Sequence, residues 1–177
     1  MAPKLKAVSH DSPEDHVETP ALESKELRMS YQIARGEMGV LTFEPYKSAL
    51  LPYWRFKTPE IATKSSQQLW KCFQMYLERG DFVGGDMARK FIQMGYTRAK
   101  RYSNHKGGRK YETSVGKDGK RKELPKSQGH KDKEEKEEAS RIFKAVWQRC
   151  KEHEKYIELK EKFLAEQKEW KKMKDNE

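Results

Sequence analysis

A chain of 177 residues, 37% charged and 34% apolar, is one domain's worth of sequence, and four Trp, eight Tyr and seven Phe are more rings than a disordered polymer carries. The formal net charge of +10 sits in one stretch, Arg89 to Lys126, where thirteen Lys/Arg meet three acids (Glu112, Asp118, Glu123), while the other 139 residues hold 25 bases and 25 acids. Apolar runs no longer than Ala49-Leu50-Leu51 exclude a membrane-spanning helix, and charge this localised points to a polyanionic partner bound in a salt-dependent way.

Residues 1 to 29 contain Pro3, Pro13 and Pro20, scattered acids and no apolar period, and are expected to form a disordered leader. Met1-Ala2-Pro3-Lys4, soon followed by Asp11, Glu14, Asp15 and Glu18, offers no apolar segment for secretion and is too acidic for a transit peptide. Cys72 and Cys150 in a Lys-rich chain suit a reducing compartment, so the expected location is the cytoplasm, with nuclear entry open. From Ser30 to Phe56 turn residues and rings alternate (Gly36, Gly39, Pro45, Tyr46, Pro52, Tyr53, Trp54, Phe56). Val40-Leu41-Thr42-Phe43 reads as one short strand without an assured partner, inside mostly irregular backbone that rings pack down.

The first clear helix starts at Thr58, a capping residue followed by Pro59 and Glu60. Ile61, Ser65, Leu69, Trp70, Phe73, Tyr76 and Leu77 recur at steps of three and four until Gly80 supplies a stop. Asp81 can cap a second helix, read as continuous from about Phe82 to Ser103, with a break at Gly95 as the alternative. Small residues at 88, 95 and 99 would admit a close helix neighbour. Residues 104–131 are basic, glycine-rich and almost without aliphatic side chains, and read as a mobile loop with a turn at Lys117-Asp118-Gly119. Helical pattern returns at about Lys133 in two stripes, Ala139 to Cys150 and Tyr156 to Leu164, with a bend at Glu152 to Glu154. The expected fold is mainly α: one domain over 30–165, about four helices with an irregular aromatic N-terminal wrap, and a solvated helical tail over 166–177.

The strongest local signal is Arg98-Ala-Lys-Arg-Tyr-Ser-Asn-His-Lys-Gly-Gly-Arg-Lys-Tyr111. Arg98, Lys100, Arg101, Lys106, Arg109 and Lys110 suit phosphate oxygens, Gly107 and Gly108 can expose backbone N–H groups, and Tyr102, His105 and Tyr111 are flat groups interleaved with the cations. The competing reading is a solvated basic surface with a flexible turn. No Walker A spacing is present. Lys117-Asp-Gly-Lys-Arg-Lys122 extends the footprint or acts as a nuclear-localisation-like cluster, and Trp54-Arg-Phe-Lys57 is read first as core packing. Cys150-x-x-His153 has ligand-like spacing but no second pair, so neither a metal nor another cofactor is expected. For catalysis, His105 is the candidate base and Glu44, Asp81 and Asp86 the acidic partners, although Asp81 is explained by capping and Asp86 by the helix dipole.

Gly36-Glu-Met-Gly-Val-Leu-Thr-Phe-Glu-Pro-Tyr-Lys-Ser48, Trp54-Arg-Phe-Lys-Thr-Pro-Glu-Ile61, Gly80-Asp-Phe-Val-Gly-Gly-Asp-Met-Ala-Arg-Lys-Phe91, Met94-Gly-Tyr-Thr-Arg98 and His105-Lys-Gly-Gly-Arg-Lys-Tyr111 together resemble a family built on a domain of unknown function, shared by bacteria, fungi and some phages. The resemblance runs from Ser30 to Leu164. It implies a compact helical domain in a cytosolic protein without a known cofactor, and brings no activity or catalytic residue. The reading carried forward is a non-enzymatic binder of RNA or DNA, directed at the backbone with weak sequence preference. The alternatives are an enzyme acting on a phosphorylated or nucleotide-like substrate with the basic loop as lid, and an interaction module using the C-terminal helices to hold a protein partner.

Overall fold

The computed structural model describes residues 17–33, 37–127, 129 and 132–177, and among them the only regular elements are helices. Four short ones, α1 (Pro20–Glu23), α2 (Lys25–Ser30), α3 (Met38–Thr42) and α4 (Tyr46–Leu50), precede four long ones: α5 (Pro59–Glu78), α6 (Phe82–Asn104), α7 (Lys133–Glu152) and α8 (Glu154–Asp175).

The long helices begin and end where local chemistry dictates. Thr58 Oγ1 accepts from the Ile61 N–H at 3.2 Å, and the Asp81 carboxylate accepts from the Gly84 N–H at 3.1 Å. Between α5 and α6 the backbone turns at Gly80 with φ 79°, a left-handed conformation open to glycine at no steric cost. Helix α6 passes through Gly95 without a break. A Cβ there would stand 2.4 Å from the Phe143 ring of α7, so the missing side chain is what lets the two helices touch. The α7–α8 junction falls at His153, extended at φ −68°, ψ 120°.

Helices α5, α6 and α7 enclose the core around Leu69, Phe73, Phe91 and Phe143, all at 0% exposure. Helix α8 closes one end, where the Phe163 ring packs 4.8 Å from that of Phe82 and Tyr156 packs 5.7 Å from Phe73.

Three expectations need correction. Within the supposed leader, residues 20–23 and 25–29 are helical: α1 and α2 fold onto the body and bury Ala21 and Met29. The Ala21 N–H donates to Tyr46 Oη at 3.0 Å, and Arg28 forms a two-pronged pair with Glu166 of α8 at 2.7 and 3.0 Å. Apolar residues here are too sparse for a helical period, yet two single turns held by distant partners need no period. Residues 1–16 of that expected leader lie outside the described residues. Val40 to Thr42 belong to helix α3 rather than to a strand, which would have had no partner for its backbone. The body also reaches past residue 165, because Gln167 is buried and donates to the Tyr31 carbonyl at 2.8 Å; the exposed tail is 171–177.

The segment joining α6 to α7 carries a two-armed ribbon. Leu124 N–H donates to Lys110 O at 2.8 Å, Glu112 N–H to Lys122 O at 2.9 Å, and Gly116 N–H to Lys120 O at 2.8 Å, with the turn at residues 117–119. The base is tied by Ser127 N–H to Asn104 O at 2.6 Å and by Lys106 N–H to Ser127 Oγ at 2.9 Å.

Candidate nucleic-acid interface

The basic stretch splits in two. Arg89 and Lys90 are only 8% and 4% exposed, so they leave the surface charge that the sequence assigns to this stretch. Arg89 Nε donates to Asp86 Oδ1 at 2.7 Å, Tyr156 Oη donates to the same oxygen at 2.7 Å, and Tyr31 Oη donates to Oδ2. Asp86 is therefore a fully buried hub that joins α6, α8 and the chain after α2, not a first-turn residue facing the helix dipole. Burial, with the charge of Asp86 added, pushes the Tyr31 and Tyr156 phenols far above their ordinary range.

The last turns of α6 project Arg98, Lys100, Arg101 and Tyr102. Arg98 is engaged: its Nη2 and Nε meet Glu37 Oε2 at 2.6 and 3.0 Å, and its guanidinium lies 5.9 Å from the Trp54 ring centroid. Burial acts to raise the Glu37 carboxyl, but the hydrogen bond and charge of Arg98, helped by Arg101, outweigh it and hold Glu37 below its ordinary value. Lys100 is exposed and Arg101 half-buried. His105 is 3% exposed, with Nε2 3.9 Å from Glu123 Oε1. A ring so enclosed presents little face to a base and little access to a bound ligand, which counts against both roles considered for it.

Lys106, Gly107 and Gly108 form a 3-10 turn with φ of 70° and 75° at the two glycines. The Gly108 N–H already donates to His105 O at 2.8 Å, so it is not open to an anion. The second glycine serves packing instead, since a Cβ there would lie 2.8 Å from the Tyr102 ring. Beyond the turn, Arg109 Nη2 donates to Thr113 Oγ1 at 3.1 Å, the Lys110 amine lies 5.4 Å from the Tyr111 ring centroid, and Tyr111 is 44% exposed. Residues 117–122 are exposed at the ribbon tip.

Sequence reasoning missed the feature that organises this surface. Trp54, Phe56 and Tyr102 line a cleft of about 740 Å³ rimmed by Arg55, Lys57 and Lys136. The Trp54 and Phe56 centroids are 5.2 Å apart, and those of Phe56 and Tyr102 5.9 Å. The Lys136 amine lies 5.8 and 5.7 Å from the Phe56 and Tyr102 centroids and donates to Lys57 O at 2.7 Å. Burial lowers the Lys136 amine's pKa despite the charges of Asp132 and Glu135. Trp54 and Phe56 do pack on the core, as their sequence reading has it, but both also face this cleft. The aromatic-cationic word Trp54-Arg-Phe-Lys57 was a signal for it; Lys136, on another helix, gave none.

Among the described residues no three His, Cys, Asp or Glu side chains gather as a metal site. Burial pushes the Cys72 and Cys150 thiols up to about 12, which keeps both protonated and unreactive at neutral pH. No helix is long and apolar enough to cross a membrane, among the described residues. No curated protein and no solved structure matches the chain. Residues 14–166 match the family described as Domain of unknown function (DUF4385), a span that takes in every helix from α1 to α7, most of α8, the cleft and the ribbon, and the chain belongs to that family.

Proposed function

We propose that the protein binds single-stranded nucleic acid, RNA or DNA, with a base or two against Trp54, Phe56 and Tyr102 and the backbone running across Lys57, Lys136 and the ribbon's cations. The observation that carries this reading is the joining of three rings and three cations around one cleft, next to the Gly107-Gly108 turn that leans on Tyr102. Rings accept any base face and cations accept any phosphate, so sequence preference is expected to be weak. The alternative of a small phosphorylated substrate under a closing lid loses support from the burial of His105, its only proton-transfer candidate.

The test is a salt series of anisotropy titrations with labelled single-stranded RNA, duplex RNA and duplex DNA. Neutralising about six phosphates on a single strand gives a log–log slope near −4, from roughly −0.7 per contact. A slope shallower than about −2, or equal binding by wild type and Lys100/Lys106/Arg109/Lys110→Ala, rejects the proposal. Tyr102→Ala is expected to weaken single-strand binding by about 1–3 kcal/mol and to leave duplex binding much less affected. Arg98 is kept intact in these variants because it holds Glu37.

A further inference from the structure

A second cleft, of about 710 Å³, opens between α6, the end of α7 and the outer face of α8. Its composition differs in kind from that of the aromatic cleft. Four cations, Arg89, Lys90, Lys151 and Lys160, share it with one carboxylate, Glu161. Arg89 is fixed in direction rather than free to swing: Asp86 takes its Nε at 2.7 Å and Gln93 Oε1 takes its Nη1 at 3.0 Å. Asp86 is in turn shared with two phenols, so one buried carboxylate serves a floor where two adjacent cations are nearly buried. Lys160 forms no ion pair with any described carboxylate. The amine of Lys90 has its pKa lowered, first by burial and then by the charge of Arg89, against the opposing charges of Asp86 and Glu37.

The wall is aliphatic. Ile157 and Leu164, one heptad apart on α8, are 44% and 46% exposed, and Ile33 completes the apolar side. The Trp147 ring offers no open shelf, because Tyr96 stacks on it at 5.7 Å and the Lys151 amine stands 3.9 Å from its centroid. A nucleobase has nothing flat to lie on here. Hydrocarbon that would otherwise face water does have a wall, and an anionic head has a preset guanidinium. The volume falls in the range of small-molecule sites, about 300–1,000 Å³.

We propose that this cleft binds an amphiphilic anion, its carboxylate or phosphate head among Arg89, Lys151 and Lys160 and its alkyl body against Ile33, Ile157 and Leu164. The same chemistry is found in a soluble alkyl carboxylate and in an anionic lipid of a bilayer. The proposal stands apart from nucleic-acid binding, since the ribbon and the aromatic cleft contribute none of these residues.

The experiment is isothermal titration calorimetry with monomeric decanoate and decyl phosphate, beside 1-decanol and inorganic phosphate, and flotation with phosphatidylglycerol vesicles. Arg89→Ala would strand Asp86 and threaten the fold, so the variants are Lys151→Ala/Lys160→Ala and Leu164→Asp, all at accessible positions. The expected result is saturable one-to-one binding of either amphiphile, at least tenfold tighter than decanol or phosphate alone and at least tenfold weaker in each variant. Vesicle flotation lost in Lys151→Ala/Lys160→Ala without binding of the soluble amphiphiles supports the same head-and-tail site and assigns it to bilayer lipid. Absence of saturable binding in both formats, or variants that bind within twofold of wild type, overturns the proposal. Oligonucleotide affinity is expected to be the same in these variants, so failure here leaves the nucleic-acid reading separately testable.

Discussion

Asp86 has no solvent contact, and a carboxylate in that position is tolerable only while Arg89, Tyr31 and Tyr156 supply charge and protons to it. Removing one partner of such a buried pair costs about 3–5 kcal/mol, whereas replacing both by apolar side chains of similar volume is often neutral. Asp86→Ala is therefore expected to lower the urea midpoint sharply, and Asp86→Leu/Arg89→Met to recover most of the loss. A double variant no more stable than Asp86→Ala would show that the phenols, not the ion pair, dominate the hub. Gly95 is the second residue at which geometry outweighs propensity. Alanine would gain about 1 kcal/mol as a helix former. Its Cβ would sit 2.4 Å from the Phe143 ring, so a net loss of about 1–3 kcal/mol is expected on chemical denaturation, with partial rescue by Phe143→Leu.

At the scale of elements, α1 and α2 are attached to the bundle by few contacts, of which the Arg28–Glu166 pair joins α2 to α8. The hydrogen bond from Arg28 holds the Glu166 carboxyl below its ordinary value of 4.5. A depressed carboxyl contributes stability above its unfolded value and loses it as pH falls through the folded one. The contact is half-exposed and contributes no more than about 1 kcal/mol, so acid should loosen α2 rather than unfold the bundle. Protection of the α2 amides, measured relative to their intrinsic exchange rate at each pH, is expected to fall as the pH drops below 4.5, with Glu166→Gln reproducing that loss of protection at pH 7. Protection that is unchanged in the variant would locate the clamp elsewhere. The long helices were legible in the sequence because Thr58, Asp81 and the bend near His153 act within one turn of themselves. The attachment of α2 was not, because its partner is 138 residues away. The same holds for the site: the basic word from Arg98 to Tyr111 is contiguous and visible, whereas the aromatic cleft is assembled from three separate segments.

Over the whole molecule, formal charge and exposed charge are different quantities. The +10 computed from the sequence overstates the basic surface, since Arg89 and Lys90 are nearly buried and Arg98 is neutralised by Glu37. Salt dependence of any polyanion binding is accordingly expected to follow the ribbon's lysines and arginines and to be indifferent to Arg89. The hydrogen bonds at the ribbon's base have a topological consequence. With Ser127 bound to Asn104, the chain leaves the bundle and re-enters it at almost the same point. Residues 106–126 are then an insertion in the spatial sense as well as the sequential one, and the path from α6 to α7 does not need them. Replacing them by a Gly-Ser pair removes eight bases and three acids, leaving +5, and is expected to preserve helical signal and cooperative unfolding while weakening the proposed oligonucleotide binding and flattening its salt dependence. By the same geometry the two ends of the excised segment stand within hydrogen-bond reach, so a short bridge can close the gap in the bundle without stretching either helix.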